Sequence, residues 1–113
     1  MDLIETARFD ELCQALGTEQ VLMLVDLLPA SYQEERMRLI DAAANGDPEA
    51  IKRSGHAIKG MAKNMAAGRL SQEALALEAF DGDFADLRDV QFKKLDELVE
   101  TTVAAMREML AAR

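Results

Sequence analysis

Residues 45–65 read NGDPEAIKRSGHAIKGMAKNM. Gly46 suits the left-handed position that ends one helix, Asp47 can accept backbone N–H bonds as the N-cap of the next, and Pro48 fits the first helical turn. Glu49 complements the helix dipole there. A helix is therefore expected from about 48 to 67. At about 100° per residue, Ile51, Gly55, Ile58, Ala62 and Met65 fall within about 80° of one another and form an apolar stripe for a core.

The same texture continues on both sides. Strand signals are almost absent, the β-branched residues are scattered, and alanine, leucine, glutamate and methionine dominate, so the fold class is all-α. Gly17-Thr18 and Asp81-Gly82-Asp83 mark further breaks. Between the marks, helices are expected over about 6–16, 19–44, 69–80 and 88–111. Pro29 interrupts the long second helix, which should be kinked there or split in two. In the last helix Phe92, Leu95, Leu98 or Val99, Val103, Met106 and Leu110 recur at three- and four-residue steps, and Leu70, Ala74 and Leu77 do so in the fourth. Short connections favour antiparallel neighbours. The expected architecture is a single domain over 1–113, an up-and-down four-helix bundle over about 19–111 with the N-terminal helix, about 6–16, across one end.

Length and charge exclude much. The chain has 113 residues, 21 acidic and 13 basic side chains and five aromatics, which leaves no room for a second full domain. A net charge of -8 opposes general binding to nucleic acid. The most apolar stretch, Val21 to Leu28, is far shorter than the roughly 20 residues that span a bilayer. No secretory signal is visible at the N-terminus, and cytoplasmic residence is the expectation. Cys13 is the only cysteine, so neither an internal disulfide nor a cysteine-rich metal site is expected.

His56, the only histidine, does not belong to the apolar stripe of its helix. It projects on the other side with Lys52, Arg53, Lys59, Gly60 and Lys63. Residues 51–72 carry five basic side chains and no acidic one, a segment of +5 in a chain whose remainder is -13. Such an island suits a transient dianion, because ammonium and guanidinium groups neutralise phosphoryl oxygens. Gly60 costs about 1 kcal/mol relative to alanine in mid-helix, and one turn beyond His56 it removes a side chain that would obstruct another protein. On spacing and charge alone, an ordinary solvated histidine on a solvated basic face is an equal reading. With no carboxylate in evidence on its face, the histidine offers neither a metal site nor an oriented acid–base pair.

The string His56-Ala57-Ile58-Lys59-Gly60 resembles the His-x-Leu/Ile-Lys-Gly signature of histidine-containing phosphotransfer (HPt) domains. Leu70 falls where that family has a leucine on the next helix, and Ala74, Leu77 and Glu78 fit its small-x-x-Leu-Glu continuation. The Asn45-Gly46-Asp47 turn matches its Gly-Asp turn, and the resemblance covers roughly residues 18–112. Ala62 stands where the family often has a small hydroxyl residue, and Ala66 where it commonly has glycine.

The resemblance implies a phosphorelay carrier. His56 would accept a phosphoryl group through Nε2 from the aspartyl phosphate of a response-regulator receiver domain and pass it to another. Lys59 would stabilise phosphoryl charge, Gly60 would admit the receiver's loops, and Lys63, Arg53 and Lys52 would assist; Ala57, Met61 and Asn64 complete the candidate binding set. No cofactor is expected on this chain, since magnesium belongs to the receiver. The partners implied are receiver domains and a hybrid histidine kinase, with the chain itself a monomer and not a self-sufficient enzyme. Some of Leu22, Val25, Leu28 and Tyr32 are candidates for a receiver-binding patch, with burial as core the equal alternative. The competing class is an adaptor bundle whose histidine is never phosphorylated.

Overall fold

The turns fall where glycine, asparagine and aspartate mark them. In the computed structural model, which describes residues 1–113, the elements are α1 (Thr6–Leu16), α2 (Thr18–Ala44), α3 (Pro48–Asn64) and α4 (Gly68–Glu78). One helical turn, α5 (Phe84–Asp86), and a π-helical stretch, Leu87–Gln91, then lead into α6 (Phe92–Ala111). There is no strand.

The junction between α2 and α3 forms as its residues dictate. Gly46 takes φ 61°, with Asp47 N–H donating to Ala42 C=O at 2.9 Å and Gly46 N–H to Ala43 C=O at 3.2 Å. This double bond closes the end of α2. The Asp47 carboxylate accepts from Ala50 N–H at 3.2 Å and opens α3.

Of the two alternatives at Pro29 the split is excluded, and the end of α3 and the start of α6 differ from expectation. α2 runs unbroken through Pro29. Pro29 lies on the exposed side, while Val21, Val25, Leu28, Tyr32, Leu39 and Ala42 bury one continuous stripe before and after it. Packing along that stripe outweighs the single N–H that proline lacks. α3 stops at Asn64, short of 67, because Ala66 takes φ 60°. Ala67 N–H donates to Ala62 C=O at 2.8 Å and Ala66 N–H to Lys63 C=O at 3.2 Å, the same closure that glycine makes at 46. Alanine there accepts a conformation costing roughly 1–2 kcal/mol.

Helices α2, α3, α4 and α6 pack in cyclic order, each against its neighbour in sequence and α6 back against α2. Ion pairs fix the antiparallel sense of the closing pair: Asp26 of α2 meets Arg107 of α6 at 2.9 Å, while Arg36 further along α2 meets Asp96 earlier on α6 at 2.8 Å. The expected core stripes are buried on α3, α4 and α6, with Val99 buried and Leu98 at the core's edge. α1 buries Phe9 and Cys13 and lies at the end where the α3–α4 turn and the C-terminus meet. There Arg8 donates to Lys63 C=O at 3.1 Å, Glu5 N–H donates to Ala66 C=O at 2.8 Å, and Arg113 pairs with Asp10. No helix is long and apolar enough to cross a membrane.

Candidate functional site

Gly55 determines the geometry around His56. A Cβ built on Gly55 would lie 2.6 Å from Leu77 Cβ and 3.0 Å from the Glu78 backbone nitrogen. Only glycine lets the α3 and α4 backbones approach so closely. The approach brings Glu78, the last residue of α4, beside the next residue of α3, which is His56.

The His56 side chain is 77% exposed, and its Nδ1 lies 3.0 Å from Glu78 Oε1. Lys59 Nζ stands 2.8 Å from Oε1 and 2.9 Å from Oε2 of the same carboxylate. Lys59 and Glu78 side chains are only 20% and 23% exposed, so the lysine lies along the groove and delivers its ammonium group to the carboxylate. The Lys59 hydrogen bond, and then that of His56, hold the Glu78 carboxyl below the usual carboxylate range.

These contacts assign the ring nitrogens. An ionised carboxylate only accepts, so Nδ1–H donates to Glu78; in the neutral imidazole Nε2 then carries the free lone pair. The bond also holds the ring's orientation. The result is a largely exposed imidazole whose free lone pair lies on Nε2, held through Nδ1 by the same carboxylate that Lys59 engages.

The expectation that His56 has no carboxylate on its face is therefore corrected. The count over residues 51–72 stops short of Glu78, and the carboxylate arrives across the helix interface. The signals were the glycine in the core stripe and the Leu77-Glu78 pair at the end of the next helix, which together set the approach and its product.

The other candidate residues spread along α3. Lys52, Arg53, His56, Glu49 and Glu78 line one shallow groove, with Lys52 Nζ 3.6 Å from Glu49. Arg53 reaches a second groove as well, between α2 and α3, shared with Glu35, Arg38, Ser54 and Ala57. Gly60 is exposed, and a Cβ there would meet nothing within 4 Å, so no contact inside this chain requires glycine at that position. Lys63 and Asn64 are exposed at the C-terminal end of α3. They stand two turns from His56, about 10 Å along the axis. Met61 packs against the core's edge.

Three of the four residues considered for an apolar docking patch are core. Val25, Leu28 and Tyr32 are buried, and only Leu22, at 39%, is exposed, together with Met23 and Leu27. Tyr32 also donates its hydroxyl to Asp96 at 2.6 Å, which ties α2 to α6. No group of three or more histidine, cysteine, aspartate or glutamate side chains is placed to hold a metal ion.

In comparison with protein families, the model of the Hpt domain matches residues 6–112. The match takes in α1 as well as the four helices of the bundle. Searches of curated proteins and of solved structures return no match.

Proposed function

Since the chain belongs to the Hpt domain family, whose members are phosphocarrier modules of two-component phosphorelays, we propose that His56 is its phosphoacceptor. It takes the phosphoryl group from an aspartyl phosphate on one receiver domain and yields it to another. The observation that carries this reading is the contact of His56 Nδ1 with Glu78 at 3.0 Å, which leaves the free lone pair of a largely exposed ring on Nε2.

In the transfer, Nε2 attacks phosphorus in line, and the P–O bond to the receiver's aspartate breaks with its electron pair passing to that carboxylate. Lys59 donates two of its three ammonium protons toward Glu78, and the third is free to meet a phosphoryl oxygen. Gly60 leaves a gap one turn away for the receiver's loops. Lys52 and Arg53 add positive charge beside the ring, whereas Lys63 acts at longer range. Magnesium and the carboxylates that hold it belong to the receiver. The partners are receiver domains and a hybrid histidine kinase, and the chain works as a cytoplasmic monomer.

The test is transfer of radiolabelled phosphate from a panel of phosphorylated receivers, with His56→Gln alongside. Acid-labile, alkali-stable label on the wild type and none on the variant is the expected result. Absence of label from every receiver, in a protein that still binds one, overturns the reading in favour of an adaptor.

A further inference from the structure

We propose that the Glu78 carboxylate keeps the proton on His56 Nδ1 after phosphorylation, so that the histidine takes and gives its phosphoryl group without exchanging a proton with water. This rests on His56 as the phosphoacceptor and adds what the neighbouring charge does. When Nε2 attacks, the N–P bond forms, the P–O bond of the receiver's acyl phosphate breaks, and its electron pair leaves with the aspartate. The Nδ1–H is not involved. The ring becomes a protonated phosphoimidazole, a cation.

Whether that cation keeps its proton decides what it can do next. If Nδ1 loses it, the ring is neutral, and breaking the N–P bond must expel an imidazolate anion, a poor leaving group. If Nδ1 holds it, the electron pair returns to Nε2 and neutral imidazole leaves. The second route is the reverse of the first step and needs no acid.

The groups facing the ring are known on each side. On α3 they are Glu49, Lys52, Arg53 and Lys59, and on α4 Glu78. Beyond Arg53, α2 brings Glu35, Arg38 and Asp41 to the neighbouring groove, where Asp47 also lies. Lys52, Arg53 and Lys59 all oppose a second cation at His56. Glu49 is engaged with Lys52. Glu78 is the carboxylate in direct contact with the ring, 3.0 Å from Nδ1, and it offsets their repulsion at the atom that matters. Lys59 contributes by holding Glu78 ionised. The basic island thus draws the phosphoryl group, while one carboxylate inside it preserves the ring's proton.

The chain is phosphorylated with phosphoramidate, which needs no partner, after labelling histidine with ¹⁵N. The ring nitrogens are then titrated by NMR in the wild type and in Glu78→Gln, whose amide oxygen still accepts a hydrogen bond. The expected result is a phosphohistidine Nδ1 midpoint at least about one pH unit higher in the wild type, the size of shift an adjacent opposite charge produces. Lys59→Met, which leaves the carboxylate in place, should keep a midpoint above that of Glu78→Gln. Transfer from the phosphorylated proteins to a receiver should differ by less than about twofold at pH 6 and by roughly tenfold at pH 8, the tenfold corresponding to one unit. Equal midpoints, or pH profiles that run parallel, would reduce Glu78 to a support for the ring and overturn the proposal. Phosphorus on Nδ1 would overturn it too. If no receiver accepts the phosphoryl group while the midpoints differ, the relay reading fails and the proton-holding role stands.

Discussion

Gly55 and Leu77 stand so close that a Cβ on the glycine would fall 2.6 Å from the leucine's. Gly55→Ala gains about 1 kcal/mol of helix propensity but must separate α3 from α4, an overpacking cost of about 1–3 kcal/mol. A net loss of stability of up to about 2 kcal/mol is expected by urea unfolding. Slower phosphorylation should accompany it, because Glu78 moves away from His56. Unchanged stability and unchanged transfer would show that the helices do not meet at this point.

Gly60 gives the opposite balance. With open space where its Cβ would be, Gly60→Ala should stabilise the chain by about 1 kcal/mol through helix propensity alone. Gly60→Gln should slow transfer from a receiver by tenfold or more while leaving labelling by phosphoramidate intact. A variant that transfers normally would mean the receiver does not use this gap.

Lys59→Ala should keep the helical fold and slow phosphoryl transfer. It should also move the Glu78 carboxyl titration, followed by NMR, back up toward the usual carboxylate range, since Lys59 is the first cause of its lowering. The linkage has a definite sign. A carboxyl titrating lower in the folded chain contributes stability above its unfolded pKa and loses it as pH falls through the folded value. The stability difference between wild type and Glu78→Gln should therefore shrink as pH falls below about 4.

Tyr32 is the only tyrosine, so its ionisation is directly observable by absorbance. Burial, and then its hydrogen bond to Asp96, push its hydroxyl far above the ordinary tyrosine range. Tyrosinate should appear only as the protein unfolds in alkali, because the stabilisation is complete below the unfolded pKa and is lost as pH rises above it. Tyr32→Phe should cost about 1.5–3 kcal/mol, the range for a hydrogen bond to a charged group. Tyrosinate formed with the fold intact would contradict this.

The bundle was legible because its signals are local. The Asn45-Gly46-Asp47-Pro48 turn and the stripes of α3, α4 and α6 each follow from residues a few positions apart. That His56, Lys59 and Gly60 share one helix face was legible for the same reason. What escaped depends on contacts across the fold. Pro29 leaves a kink and a split equally open until the buried stripe on both sides is known. Ala66 gives no local sign of a left-handed residue, and the one clue is that the Hpt family commonly has glycine there. Glu78 lies twenty-two residues from His56, and only the approach at Gly55 brings the two together. Val25, Leu28 and Tyr32 are apolar in a helix that is apolar nearly all round, so the sequence does not separate core from surface there.

The distribution of charge has a consequence for how encounters begin. A positive segment set in an otherwise acidic body gives the molecule a direction. If His56 takes its phosphoryl group from a receiver, a partner that presents phosphate and carboxylates is repelled by most approaches and drawn to one. Fields of this kind act over about 8–10 Å at physiological salt, so the choice of face precedes contact. On that reading the search for the productive face is made while the partners are still apart, and the field that biases it costs the carrier no rearrangement of its own.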